Sequence, residues 1–389
     1  MLITDVGRDI LCEIMRKKKI DKPFLYLTIA LAVVGFLLFF SVALGTLSST
    51  QTFMLTIAKQ LIALIIGFGI LYLLIKSSYD YKKLKYLSLW FFAATVLFEL
   101  MVFIPGLGVT VNGANRWVDI GITTIQPSEF LKIGVIIFLA ALLSEYKKKL
   151  SDIRHLVLVM VMTIGICFVL LFLTRDIGTF AVLAISVFFM LLASHARNTH
   201  ILGLAGAGIA SLLALLFFFR RYAWERLMSF GGLTQDALGA DFQVNQSLYT
   251  IGSGEIWGRG FGRSIQKFGY LPEPLNDSVF AVTAEEWGFI GSCIIITLFL
   301  ALILRGLHIA TRIKEPFGYF IVLGLISAIG VQSFINIAAM LKLFPLSGMP
   351  LLFVSQGGSA ILFVTISCGL ILLISKDMKR PTRKKSVKQ

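Results

Sequence analysis

Long apolar stretches alternate with short polar ones along this chain, and the stretches predict its elements. Ten runs approach the roughly 20 residues that a helix needs to cross a bilayer. They are Phe24 to Leu47, Leu55 to Ile75, Leu84 to Ile104, Phe130 to Leu143, Leu156 to Leu173, Gly178 to Ala193, Ile201 to Phe219, Ser278 to Leu304, Phe317 to Met340 and Leu351 to Ser375. The expected fold is an all-α integral membrane protein with about ten transmembrane helices and a large extracytoplasmic loop, residues 220–277, between helices 7 and 8. Residues 1–22 read as a basic arm, 23–375 as the membrane domain and 376–389 as a basic tail. Between Phe344 and Ser359, two prolines and three glycines interrupt helix near the membrane surface. Irregular backbone at that depth must line a cavity or be buried in protein.

Composition sharpens this picture. Of the 389 residues 57% are apolar and only 15% charged, which excludes an ordinary soluble domain. Alternate inter-run segments hold 25 of the 36 Lys and Arg, the bias of cytoplasmic loops, so both termini are expected in the cytoplasm. Six of the remaining cations lie between Arg220 and Lys267, on the expected outer face. The net charge of +15 follows membrane orientation and the basic tail, and points to anionic lipid headgroups rather than nucleic acid. Cys12, Cys167, Cys293 and Cys368 lie in separate segments, which argues against a disulfide framework, and no His/Cys metal site is visible.

Ionisable residues inside spans are expensive and usually functional. Lys59, in the second run, either snorkels to the interface or faces a polar cavity, and Glu99, near the end of the third, poses the same choice. Glu129 and Lys132 are spaced to share one helix face and pair, as a strut or as a substrate contact. Arg116 with Trp117 suits an anionic headgroup or a plain interfacial anchor, while Arg175 and Asp176 suit a capped tight turn. Lys342 sits beside the interrupted stretch that carries Ser355 and Ser359, and all three are candidate substrate-binding residues.

The large loop opens with a plausible interfacial helix, Arg220 to Met228. It continues, from Gln246 on, as a flexible, glycine-rich, cationic segment in which Arg259, Arg263 and Lys267 bring charge and backbone amides towards a phosphate. The glycines do not make a nucleotide fingerprint, since no strand precedes them. Two prolines then make Leu271 to Leu275 an extended connector, and Asn276 or Asp277 is placed to cap the next helix. Glu285 and Glu286 follow about two turns inside the apolar run. A carboxylate at 277 is thus poised where polar loop meets bilayer, and this is the expected reaction centre.

Several motifs together resemble the SEDS family (shape, elongation, division, sporulation). They are Asn112-Gly-Ala-Asn-Arg-Trp, Gln126-Pro-Ser-Glu-Phe-Leu-Lys, Asp176-Ile-Gly-Thr, Tyr270-Leu-Pro-Glu-Pro, Phe280-Ala-Val-Thr-Ala-Glu-Glu-Trp-Gly and Phe344-Pro-Leu-Ser-Gly-Met-Pro, followed by Ser355-Gln-Gly-Gly-Ser. The resemblance covers nearly the whole chain, and Ser264-Ile-Gln-Lys-Phe-Gly looks more like the division branch than the elongation branch. Three motifs depart from the family pattern: Leu275-Asn276 before the aspartate, Thr174-Arg175 before Asp176, and Ser355-Gln-Gly-Gly-Ser-Ala360.

The resemblance implies a peptidoglycan glycosyltransferase of the bacterial cytoplasmic membrane. Such an enzyme polymerises lipid II on the outer face with a class B penicillin-binding protein, among divisome or elongasome proteins. It carries the family's catalytic aspartate onto Asp277 and its intramembrane pair onto Glu129 and Lys132. The chemistry asks for one general base and cations on a departing pyrophosphate, with Arg220, Arg259, Arg263 and Lys267 as candidates. A divalent cation, Mg2+ or Mn2+, is compatible with it. A lone carboxylate fits inversion, since retention by a covalent intermediate wants a second one nearby. The rival readings are a lipid II flippase or ion-coupled carrier, and a scaffold that only recruits the partner. For Asp277 itself the competing role is a helix cap.

Overall fold

Asp21 starts the first helix: its carboxylate accepts a hydrogen bond from the Phe24 amide at 3.0 Å. Pro23 occupies the first turn, where a missing amide hydrogen costs nothing. This computed structural model describes residues 19–378 except 48, 112, 113, 122, 148, 220–223, 225–227, 229 and 231–239. Helices α1 (Lys22–Thr46), α2 (Thr50–Lys76) and α3 (Lys83–Leu100) follow one another, α3 running on as a 3-10 turn to Phe103. A small antiparallel sheet comes next, β1 (Gly108–Val111), β2 (Ala114–Asp119) and β3 (Thr124–Ile125), paired in that order with a bulge at Val109 and Thr110. Helices α4 (Pro127–Glu145), α5 (Ile153–Leu173), α6 (Ile177–Leu192) and α7 (Asn198–Phe219) complete the first part. The second part holds α8 (Ala240–Gly252), α9 (Val279–Arg312), α10 (Pro316–Met340) and α11 (Gly358–Ser375).

Among the described residues nine helices are long and apolar enough to cross a membrane, and α6 is a shorter apolar helix. The chain is a multi-pass membrane protein built of helices. With 16 residues α6 reaches only about 24 Å, short of a roughly 30 Å hydrocarbon layer. Helices α4, α10 and α11 form the centre and are mostly buried, whereas α7 is mostly exposed. The Asp21 amide donates to Ser375 Oγ at 3.1 Å, so the two ends of the described chain share one face of the bundle. Arg305, late in α9, donates twice to the Asp21 carboxylate, at 3.0 and 2.7 Å. The start of α9, with Asp277, therefore lies at the opposite face.

Three local expectations need correction. Gly108–Val111, Ala114–Asp119 and Thr124–Ile125 form a sheet that an all-α expectation left out, because the strands are two to six residues long and alternation over so few positions is hard to detect. Gln246 to Gly252 belongs to α8, so the glycine-rich loop is shorter than expected. Its remainder is stapled rather than flexible. Helix α9 breaks at Gly288, whose φ is 68°, and residues 255–260 run against the break. The Arg259 and Gly260 amides donate to the Glu285 and Glu286 carbonyls at 3.0 and 2.9 Å. Phe289 and Ile290 donate back to the Glu255 and Ile256 carbonyls, at 2.9 and 3.2 Å. A kink leaves helical amides and carbonyls without partners in a medium that offers none, and this loop supplies them.

Candidate active site

Asp277 is buried, two residues before α9, in a segment that is folded tightly rather than extended. Glu273 adopts a left-handed φ of 47°, and its carbonyl accepts from the Asn276 and Ser278 amides, each at 3.2 Å. The expected connector of Leu271 to Leu275 is therefore a turn. Neither Asn276 nor Asp277 is the N-cap; Ser278 is, without a side-chain cap bond. The Asn276 side chain instead donates to Glu273 at 2.7 Å.

Around Asp277 three segments converge. Asn336 of α10 donates through Nδ2 to the Asp277 carbonyl at 2.9 Å and to the Met349 carbonyl at 2.7 Å. The Gln356 amide donates to the Leu275 carbonyl at 2.8 Å. Met349 and Gln356 belong to the interrupted stretch before α11, in which Leu351 to Ser355 are all buried. Its irregular backbone is satisfied inside protein: Leu351 donates to Ser355 Oγ at 2.9 Å, and Gln60 donates to the Ser355 carbonyl at 3.1 Å. Ser355 thus closes a turn beside the aspartate.

The intramembrane pair lies one step further in. Lys132 Nζ is 2.8 Å from Glu129 Oε2, both side chains almost fully buried. The ammonium also donates to Gln332 Oε1 and sits 3.9 Å from the Phe363 ring centre. Gln332 in turn donates to the Pro350 carbonyl at 3.4 Å. A second polar node holds Asp176, which caps α6 through the Thr179 amide at 3.3 Å and accepts from Gln126 and Ser128 at 3.0 and 2.9 Å. Burial by itself raises this carboxyl, but the Arg116 charge and the Ser128 and Thr179 hydrogen bonds outweigh it and hold it below the usual carboxylate range. The Arg116 guanidinium also donates to the Arg175 carbonyl. Ser359 Oγ accepts the Gln126 amide at 2.9 Å, tying this node to the start of α11.

Other expected ligands are placed differently. Lys267 is buried, with Nζ 2.7 Å from Glu286 Oε1 and 2.9 Å from the Ser41 carbonyl, and its stem lies against Gly45. Ser41 Oγ donates to the other Glu286 oxygen. Lys267 is therefore withdrawn from any phosphate, because leaving Glu286 buried without a countercharge would cost far more than a surface ion pair returns. Glu285 accepts from Ser264 and from the Ile265 and Gln266 amides, the latter at 3.1 and 3.4 Å, so both glutamates hold the loop. Arg259 and Arg263 remain exposed, although Arg259 donates to the Ser253 carbonyl at 3.2 Å and lies 3.5 Å from Glu285. Lys342 approaches Asn245 at 3.4 Å. Lys59 faces away from the bundle, and its neighbour Gln60 is the residue that points in. Glu99 is buried, with one oxygen lacking a hydrogen-bond partner among the described residues. Arg220, and most of the expected interfacial helix from Arg220 to Met228, lie outside the described residues.

Sequence reasoning missed Ser41, Gln60, Gln332 and Asn336. Each is an uncharged polar residue inside a largely apolar run, and the spacing of Gln332 and Asn336, one turn apart, was the available signal. Among the described residues no group of three or more His, Cys, Asp or Glu is placed to hold a metal ion.

Comparison with known proteins places this geometry. The family described as "Cell cycle protein" (FtsW, RodA, SpoVE) matches residues 22–380. Stage V sporulation protein E of Bacillus subtilis is 34% identical over 310 residues, 80% of this chain and 84% of the relative. A probable peptidoglycan glycosyltransferase FtsW of Halothiobacillus neapolitanus is 35% identical over 325 residues, covering 82% and 78%. The crystal structure of Thermus thermophilus RodA is similar in fold, with a TM-score of 0.64 and 23% identity over 93% of this chain and 98% of that one. A chain from a peptidoglycan synthase complex has a TM-score of 0.71 and 24% identity, covering 92% and 98%.

Proposed function

Because the chain belongs to the SEDS family of FtsW, RodA and SpoVE, we propose that it is a peptidoglycan glycosyltransferase. It polymerises lipid II on the outer face of the bacterial cytoplasmic membrane, with Asp277 as general base. A class B penicillin-binding protein is its partner and the division septum its place of action. The carrying observation is a buried carboxylate at the face opposite the chain ends, on a backbone held by Asn336 and by the stretch before α11. Burying an ionisable group at such a junction is costly, and groups of this kind cluster at functional sites.

In the reaction, Asp277 takes the proton from the acceptor sugar's hydroxyl as that oxygen bonds to the donor's anomeric carbon. The bond from that carbon to the lipid pyrophosphate breaks, and its electron pair leaves on the phosphate oxygen. Arg259 and Arg263, exposed and cationic, are the groups on hand to neutralise the leaving pyrophosphate, joined by Arg220. A Mg2+ or Mn2+ ion, were one bound, would supply further charge neutralisation for the leaving pyrophosphate.

Asp277→Asn keeps the size and polarity of the side chain and removes its basicity. The purified variant, incubated with labelled lipid II and the cognate transpeptidase, is expected to lose at least about 100-fold in polymerisation rate, the usual worth of a general base. Polymerisation at the parental rate would remove Asp277 from the chemistry. Lipid II crossing liposome membranes with no polymer formed would favour the carrier reading instead.

A further inference from the structure

Asn336 and Gln332 lie four residues apart on one face of α10, each 1% exposed. Uncharged amides are expensive to bury in an apolar helix, so what they bond to matters. Asn336 spends both Nδ2 hydrogens on main-chain carbonyls from two different segments, Asp277 at 2.9 Å and Met349 at 2.7 Å. Its Oδ1 has no hydrogen-bond partner among the described residues. Gln332 accepts from Lys132 and donates to the carbonyl of Pro350, next to Met349. The contacts form an unbroken path from the Glu129–Lys132 pair, through Gln332, residues 349–350 and Asn336, to the backbone of Asp277.

We propose that Asn336 is a positioning residue for Asp277, and that Gln332 couples that position to the Glu129–Lys132 ion pair. The inference rests on the reading of Asp277 as general base. Physically, Asp277 precedes α9, whose cap Ser278 makes no side-chain cap bond, so a neighbouring segment is needed to help fix the aspartate's orientation. The Asn336 amide does this by clamping the aspartate's own carbonyl to a rigid neighbour. Misplacement of a reacting group by about 1 Å costs on the order of 100-fold in rate. The coupling through Gln332 gives the buried ion pair a part in catalysis without contact with substrate.

The test uses the full chain, reconstituted with its transpeptidase, and reads kcat, KM for labelled lipid II and the thermal unfolding midpoint. Asn336→Leu removes both hydrogen bonds at similar volume, and Asn336→Asp removes the N–H donors while keeping shape. Both are expected to lower kcat about 10- to 100-fold with KM changed less than about two-fold. Gln332→Met should give a smaller loss of the same kind, and Gln332→Met with Asn336→Leu should fall short of the product of the two losses. A merely structural asparagine would lower the unfolding midpoint and the active fraction together, leaving kcat per folded molecule at the parental value; that outcome overturns the inference. An inactive Asp277→Asn beside an Asn336→Asp enzyme of parental kcat would overturn it while sparing the base. A fully active Asp277→Asn would overturn both.

Discussion

Lys267 is the residue whose type misleads most. In a cationic, glycine-rich loop it resembles Arg259 and Arg263, yet the chain turns it inward onto Glu286 and the Ser41 carbonyl. Its partners are 19 and 226 positions away, and no local pattern announces them. Breaking one side of such a buried pair is expected to destabilise the protein by about 3–5 kcal/mol, whereas replacing both sides with apolar residues is far milder. Lys267→Met should therefore lower the unfolding midpoint in detergent sharply, and Lys267→Met with Glu286→Leu should regain most of it. A Lys267→Met protein as stable as the parent would mean the pair does not hold the loop. Asp277 was legible for a different reason: a carboxylate at a polar-to-apolar junction is conspicuous in the sequence, even though its backbone environment is not.

Among the elements, α9 shows why a hydrophobic run locates a helix but misses its detail: the run ends at Leu304, the helix at Arg312. The apolar run passes through Gly288 without interruption, because one residue at φ 68° leaves composition unchanged. Only the packing shows that the helix breaks there and that residues 255–260 fill the gap. A Cβ at Gly288 would run into the Gly258 amide and the Ile256 carbonyl, and the left-handed backbone adds strain of about 1–3 kcal/mol. Gly288→Ala is expected to weaken the staple, read as faster hydrogen exchange at the Arg259, Gly260 and Phe289 amides. Exchange at the parental rate would show the loop is held by its side chains alone. The sheet of β1 to β3 escaped prediction for its brevity, and the stretch before α11 was identified as irregular because Pro and Gly punctuate it visibly.

At the scale of the molecule, the charge asymmetry and the shared face of the chain ends give one orientation. Asp21 meets Ser375 and Arg305 at that face, and Asp277 lies at the other. The excess of Lys and Arg near the chain ends is the ground for expecting the termini inside and the aspartate outside. A reporter active only in the cytoplasm, fused after Gln389, is expected to be active, and one active only outside, silent. The reverse result would put Asp277 on the face where the proposed acceptor strand does not lie.

What the amino-acid order determined alone was whatever depends on local composition: the number of apolar helices, the alternation of charge between their ends, the irregular stretch before α11 and the carboxylate at 277. These survive any rearrangement of the bundle, because the bilayer acts on each segment separately. Tertiary structure alone decided which polar side chains face one another. Lys132 meeting Gln332, Asn336 meeting Asp277 and Lys267 meeting Glu286 each depend on how helices rotate and pack, which burial energy sets for the whole bundle at once and not for any single stretch.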